Sequence, residues 1–408
     1  MFYRKSLIII TKMTTEQSSS EEVVALLNAA QLSSNTDSAK LDNLRKVQEI
    51  IVNRDSNLLD NFLDEVLAFQ TDRSQDVRKF VVGFIEDACL KDPELLPKVI
   101  ANLQLMLGDQ SVLVQKRVIQ AMTHLYRAAL KCLARSKTVS ERMEAAWSLM
   151  CNMKEIIVEL LESDNDGIRT MTVKFMEMIV LIQTHREEES VVKEGDFSLD
   201  DLPLGLKIAR PRKLEEEARK VFDELVKYHG TAHISSANLM TTMGSLTNIA
   251  RARPTFMPRV ITALEMLQAN LPPTLARSQV SSVRKHLKNQ LLALLKHPTA
   301  AEHFFTNMTT LLTDLGASRD EVMKIPNYEE MKRKARKKER EAEKAKEAER
   351  EIIESKRPKI DIPDEEEDIG ISKTLIEKVL GIYDNLLFLK KRTSLPNSRS
   401  PCPSPAWM

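Results

Sequence analysis

Pro93-Glu94-Leu95-Leu96-Pro97-Lys98-Val99-Ile100-Ala101-Asn102-Leu103 returns 161 positions later as Pro254-Thr255-Phe256-Met257-Pro258-Arg259-Val260-Ile261-Thr262-Ala263-Leu264. Both copies set two prolines four apart, follow them with a basic residue, and place Val-Ile and Leu at the same offsets. Proline is tolerated in a first helical turn because the N–H groups there have no intrahelical partner. Beyond it Val99, Ile100, Leu103 and Leu107 recur at helical spacing, as do Val260, Ile261, Leu264 and Leu267. An apolar segment runs into each proline, over residues 81–90 and 239–250. Each copy therefore reads as helix, proline-marked turn, helix. A single unit of that kind cannot bury its own apolar faces, whereas units stacked side by side can. The repeat predicts an all-α solenoid, whose function is surface presentation rather than chemistry.

Composition agrees. Hydrophobic residues make 42% of the chain, aromatics only 5%, and there are 10 glycines, which suits helices packed on helices better than a sheet. Sixty basic residues against 59 acidic ones leave a formal charge of +1, so no broad electrostatic commitment to nucleic acid or membrane is expected. Cys89, Cys132, Cys151 and Cys402 form no C-x-x-C, and three of them fall in apolar helical patterns, as reduced thiols of an intracellular protein do. Leu7-Ile8-Ile9-Ile10 is too short for a signal-peptide core, and no run approaches the roughly 20 apolar residues that span a bilayer.

Residues 1–20 read as a disordered leader. Helical periodicity then continues from 21 to 315, over segments 21–32, 38–53, 58–70, 76–90, 93–107, 112–133, 140–162, 168–184, 214–229, 235–252, 255–269, 278–296 and 300–314. Several of the turns share an acidic or hydroxyl cap, then a branched apolar residue and a basic one: Asp72-Arg-Ser-Gln-Asp76-Val77-Arg78, Ser163-Asp-Asn-Asp-Gly-Ile168-Arg169 and Ser281-Ser-Val283-Arg284. Such caps satisfy free N–H groups and complement the helix dipole. The arrangement resembles HEAT repeats. Its irregular spacing makes the expected fold an ARM/HEAT-like superhelical stack of antiparallel helix pairs. Residues 185–213, with Pro203, Gly205 and Pro211, interrupt the pattern as a long loop that divides two groups of repeats. Residues 331–360 hold thirteen Lys/Arg against seven Glu, and residues 361–408 read as an acidic, then Pro/Ser-rich, disordered tail.

Enzyme chemistry finds no footing. There is no G-x-x-x-x-G-K-[ST], no G-x-G-x-x-G and no H-E-x-x-H, so neither a nucleotide cofactor nor zinc is expected. His229 and His233 are four apart, but Gly230 lies between them and no Cys or carboxylate cluster joins them. Asp164-Asn-Asp-Gly167 fails as a calcium loop, because Gly167 at its sixth position puts Val173 where the closing Glu belongs. The turn is a capping turn.

Two surfaces remain. On the helix opening at Ile168, the residues Ile168, Met171, Phe175, Met178, Ile179 and Ile182 make the core stripe. Thr170, Val173, Lys174, Glu177 and Leu181 make a second one, read either as an ordinary face against the next repeat or as a partner-binding face that also takes in Arg169. The other surface is the basic segment, where Lys332, Arg333, Lys334, Arg336, Lys337 and Lys338, with Lys356, Arg357 and Lys359 around Pro358, read as a nuclear-import signal for an import receptor. The alternative is direct RNA binding by residues 331–360, which a steep salt dependence would reveal. No aromatics interleave there to stack on bases, so RNA contact is expected to be indirect or weak.

Leu59-Asp-Asn-Phe-Leu-Asp-Glu65, Val77-Arg-Lys-Phe-Val-Val-Gly-Phe-Ile-Glu86, Ser163 to Thr170, Gly244-Ser-Leu-Thr-Asn-Ile-Ala-Arg251, Ala269-Asn-Leu-Pro-Pro-Thr-Leu-Ala276 and Ser278 to Lys285 resemble the N-terminal domain of the symplekin family. The resemblance covers roughly residues 14–315. It implies a non-enzymatic scaffold of nuclear pre-mRNA 3′-end cleavage and polyadenylation, histone pre-mRNA included, that works with cleavage and polyadenylation factor subunits. It also implies that the repeats bind and stimulate a phosphatase of the RNA polymerase II C-terminal tail, through the helix carrying Lys174. A nuclear location follows; an additional cell-junction or cytoplasmic pool is left open by the sequence. Symplekins are much longer, and the proline–serine tail here is unlike theirs, which reads as a short isoform or a truncated gene model.

Overall fold

The computed structural model describes residues 2–323, apart from 33–35, 137 and 204, together with residue 333. These lie in one compact unit, Met1–Glu341. Among the described residues the chain makes fifteen α-helices and no strand: α1 (Phe2–Gln31), α2 (Asp37–Gln48), α3 (Leu59–Leu67), α4 (Gln75–Lys91), α5 (Leu96–Leu107), α6 (Val112–Arg135), α7 (Glu141–Glu159), α8 (Asp166–Ile182), α9 (Pro211–His229), α10 (Ser236–Ala252), α11 (Met257–Ala269), α12 (Arg277–Leu295), α13 (Pro298–His303), α14 (Phe305–Asp314) and α15 (Arg319–Met323). The even-numbered helices from α2 to α14 form one layer, each packed on the next. Odd-numbered helices cover its other side, α5 on α6 and α7, α9 on α8, α10 and α11. The fold is all-α and ARM/HEAT-like.

The two proline units fold alike. Asp92 and Arg253, both extended, precede a single tight turn over Pro93–Leu95 and Pro254–Phe256, and α5 and α11 follow. Val99, Ile100 and Leu103 are buried in one copy and Val260, Ile261 and Leu264 in the other. Even the exceptions correspond: Leu105 and its counterpart Met266 are 71% and 62% exposed, the largest values among the exposed apolar side chains.

Ser281–Arg284 is no capping turn but lies inside α12, whereas the turns opening at Asp72, Asp109 and Ser163 share a staple not visible in their spacing. Six residues into each, a side chain reaches back to the carbonyl that opens the turn. Arg78 donates to Asp72 O at 2.8 Å, Gln115 to Asp109 O at 2.7 Å and Arg169 to Ser163 O at 2.9 Å. Arg78 also grips Asp109 across to the next repeat, at 2.7 and 2.9 Å. That hydrogen bond holds the Asp109 carboxyl below the usual carboxylate range.

Three expectations need correcting. The first helix begins at Phe2 rather than near residue 21, where an unstructured leader was expected; no proline or glycine interrupts residues 2–31. The last expected helix, 300–314, is two helices broken at Phe304. The loop 185–213 does not divide the stack, because α8 packs directly on α10. It crosses the helix ends instead and buries Phe197, Leu199, Leu202 and Ala209. Lys131 donates to Gly195 O at 2.9 Å, Val191 N to Arg251 O at 3.0 Å, and Thr255 N to Glu187 at 2.9 Å, while His297 meets Glu189 O at 2.9 Å. The loop thus ties together α6, the end of α10, the turn before α11 and the residue that opens α13. Under it lies Arg253, with no solvent exposure, donating to Thr184 Oγ1 at 3.0 Å, to Ala252 O at 2.6 Å and to Leu181 O.

Cys89, Cys132 and Cys151 are unpaired thiols, and burial pushes Cys89 up to about 12. Among the described residues no helix is long and apolar enough to cross a membrane. Of the import residues only Arg333 is described, and it is exposed; Lys332, Lys334, Arg336, Lys337, Lys338, Lys356, Arg357 and Lys359 lie outside the described residues, as does the tail 361–408.

Candidate partner-binding face

Asn165 opens α8, its side-chain oxygen accepting from Gly167 N at 2.9 Å and Ile168 N at 3.1 Å. Satisfying two orphan donors starts the helix there and fixes which residues face which neighbour. With α6 and α10 on either side and α7 and α9 behind, α8 is enclosed almost all round. Ile168, Phe175, Met178, Ile179 and Ile182 are buried as the core stripe requires, and Met171 is half-buried.

The second stripe is less open than its pattern suggests. Val173 is fully buried, because its side of the helix meets a neighbour in the same layer. The Thr170 hydroxyl lies 2.7 Å from Asn238 Oδ1 and 2.8 Å from Asp166 O, with its one proton shared between these two acceptors. Glu177 is only 14% exposed and is saturated: it accepts from Ser245 at 2.6 Å, from Asn248 at 3.0 Å and from Lys174 at 2.8 Å. Arg169 is spent on its own turn, bonding Asp166 and Ser163 O. The Arg169 hydrogen bond holds the Asp166 carboxyl low. Leu181 is half-buried against the core, and its carbonyl receives Arg253.

Lys174 differs from all of these. Its side chain is 46% exposed and is held upright by Glu177 and by Ser245 Oγ, the latter at 3.1 Å. Two of its three ammonium donors are thereby used, and one is left for a partner. Asn238, Ser245 and Asn248 of α10 complete the face. Spacing within one helix does not reveal them, although Ser245 and Asn248 stand in the symplekin-like string 244–251.

This arrangement has no catalytic constellation. Among the described residues, no group of three His, Cys, Asp or Glu side chains is placed to hold a metal ion. His229 is buried and His233 exposed, on opposite sides of the turn after α9. What the face offers is a pre-positioned cation among hydroxyl and amide groups, on a rigid stack.

A helical-repeat scaffold is the class that this fold and face define. Residues 111–338 match the model of the Symplekin/PTA1 N-terminal family, and the chain belongs to that family. The match begins just before α6, so the symplekin-like strings 59–65 and 77–86 lie upstream of it. Membership carries a scaffold role in mRNA 3′-end processing. Among solved structures, an engineered protein aligns at 16% identity over 67% of this chain and 96% of its own, with a TM-score of 0.34. The C-terminal fragment of the cohesin loader SCC2 from Chaetomium thermophilum aligns at 15% identity over 72% of this chain and 29% of its own, with a TM-score of 0.24.

Proposed function

We propose that the repeats dock a phosphatase of the RNA polymerase II C-terminal tail on the α8–α10 face and present it, with cleavage and polyadenylation factor subunits, to the 3′-end processing machinery. The observation that carries this reading is Lys174, an exposed ammonium oriented by Glu177 and Ser245 on a face where Thr170 and Glu177 are bonded to α10. Orientation before binding lowers the entropic cost of the contact. Lys174→Ala is expected to weaken phosphatase binding by about 1–3 kcal/mol, as a central charged anchor does. Stability should move by less than about 0.5 kcal/mol, since Glu177 keeps Ser245 and Asn248 and no cavity forms. Titration calorimetry with the purified phosphatase, alongside melts of both proteins, decides it. Equal affinities would sink the reading.

The same proposal places the protein in the nucleus by way of residues 331–360 and an import receptor. Neutralising Lys332, Arg333, Lys334, Lys356, Arg357 and Lys359 together should leave a fluorescently tagged chain in the cytoplasm. Undiminished nuclear accumulation would reduce the segment to a charged linker.

A further inference from the structure

Helix α6 runs for 24 residues without one acidic side chain, yet it carries Lys116, Arg117, His124, Arg127, Lys131 and Arg135. At 3.6 residues per turn, Arg117, His124, Arg127, Lys131 and Arg135 fall within an arc of about 80° and extend over about 27 Å. That arc lies opposite the buried Val118, Met122, Leu125 and Tyr126. The result is a basic ridge on the outward side of the even-numbered layer.

Little neutralises the ridge. Arg117 and His124 share one carboxylate, the buried Glu86 of α4. Lys131 donates to a loop carbonyl and lies 5.8 Å from the centroid of the Phe197 ring. Arg127, at the middle, makes no ion pair among the described residues, and its Nε–H is buried without a hydrogen-bond partner. A buried donor left unpaired is costly, and more so on a charged group. Lys116 Nζ lies 3.1 Å from where a Cβ on Gly167 would stand, which sets the level of α6 against α8.

We propose that this ridge, centred on Arg127, binds an extended peptide segment bearing phosphoserine or phosphothreonine side chains. Arg127, Lys131 and Arg135 follow one another at about 6 Å, four residues of 1.5 Å rise each. Alternate side chains of an extended peptide stand about 6.7 Å apart on one side, so phosphates on every second residue keep step over two or three positions. Guanidinium forks match phosphate oxygens in pairs, and a phosphate brings more charge than a carboxylate to a ridge that lacks counter-charge. None of the outward residues of α6 is Phe, Tyr or Trp, which removes the stacking that single-stranded RNA uses. The site lies on α6 and stands whether or not α8 holds a phosphatase.

Fluorescence anisotropy on the full chain at about 50 mM salt, where phosphate contacts are least screened, tests it with four labelled probes. These are a Gly/Ser peptide with three phosphoserines at alternate positions, the same peptide unmodified, the same with Glu at those positions, and a short oligouridine. The phosphopeptide should bind about tenfold or more tighter than the other three. Arg127→Gln should remove most of that advantage, Arg127→Lys should restore part of it, and Lys285→Gln, an exposed cation on α12, should leave it intact. Equal binding of phosphorylated and unmodified peptide, tighter binding of oligouridine, or an Arg127→Gln variant indistinguishable from the native chain each overturns the proposal.

Discussion

Arg253→Ala is expected to destabilise the stack by about 3–5 kcal/mol, the range for removing one partner of a buried, hydrogen-bonded charge. The guanidinium is shut away from solvent and joins three acceptors: Thr184 Oγ1, Ala252 O and Leu181 O. Two of these belong to the end of α8 and the residues just after it, and the third to the end of α10. The side chain therefore fastens consecutive helices of one layer at the point where the long loop crosses them. Burial lowers its pKa from the ordinary arginine value, while the fields of Asp196, Asp200 and Glu187 from the loop oppose that shift. Truncation would strip the acceptors of their donor, leave the loop carboxylates without their nearest buried cation, and open a cavity. At about 2–4 °C per kcal/mol for a chain of a few hundred residues, the melting temperature should fall by roughly 10 °C. Arg253→Met keeps most of the volume and none of the donors, so a similar fall there assigns the loss to the hydrogen bonds. Limited proteolysis should at the same time open the loop between residues 187 and 195, because Val191 and Glu187 are anchored on either side of Arg253. A change below about 1 kcal/mol in both variants would show that the loop and the α8–α10 junction hold without it.

Arg253 also marks where the sequence ceases to be readable. Local rules carried the rest of its unit: proline in a first turn, a branched apolar stripe behind it, the same spacing 161 residues apart, and the same burial in both copies. At the position before the first proline stands Asp92, which caps its own turn by accepting from Glu94 N at 3.0 Å. The corresponding position before Pro254 holds Arg253, whose destination is set by α8, about 70 residues away in sequence. No local pattern encodes that. The break at Phe304 escaped for a related reason, since propensity and periodicity run straight through it.

The partner face was legible in outline and misjudged in openness. A stripe at i, i+3/4, i+7 says that one side of a helix differs from another, but not whether water or a second helix faces it. In a two-layer stack each helix has neighbours within its own layer, so Thr170, Val173 and Glu177 are turned to α10 or buried, and Lys174 keeps an exposed ammonium. Arg169 carried a signal that went unused: it follows Ser163 by six residues, as Arg78 follows Asp72, and both close their own turns. The ridge on α6 was passed over because a helix with five Lys/Arg resembles any solvated face until the missing acidic residues are noticed.

The stability of the stack should fall by about 3 kcal/mol between pH 6.5 and pH 4 through His229 alone. This last residue of α9 is 2% exposed, and its Nε2 has no hydrogen-bond partner. It lines a groove of about 900 Å³ between α9 and α11, where the charged groups are Lys227 and Arg259. Each of those cations is paired, with Glu224 at 3.3 Å and Asp223 at 2.6 Å, so neither carboxylate is free to welcome a proton on the imidazole. Burial pushes the His229 pKa from the ordinary 6.5 down to about 4. The folded chain refuses a proton that the unfolded chain accepts, so the stabilising contribution is complete above pH 6.5 and is lost as the pH falls towards 4. His286, lowered by burial as well, acts in the same direction. Asp72, Asp109, Asp166 and Asp200 are all held below the ordinary carboxylate value, so their contributions persist through this window and fade only at lower pH. His229→Leu, close in volume and without a proton site, should flatten the decline. Urea midpoints measured at pH 7.5, 6 and 5 for both chains give the comparison, with about 2 kcal/mol separating their slopes by pH 5. Parallel declines would mean that the acid sensitivity resides elsewhere and that His229 accepts its proton without unfolding the groove.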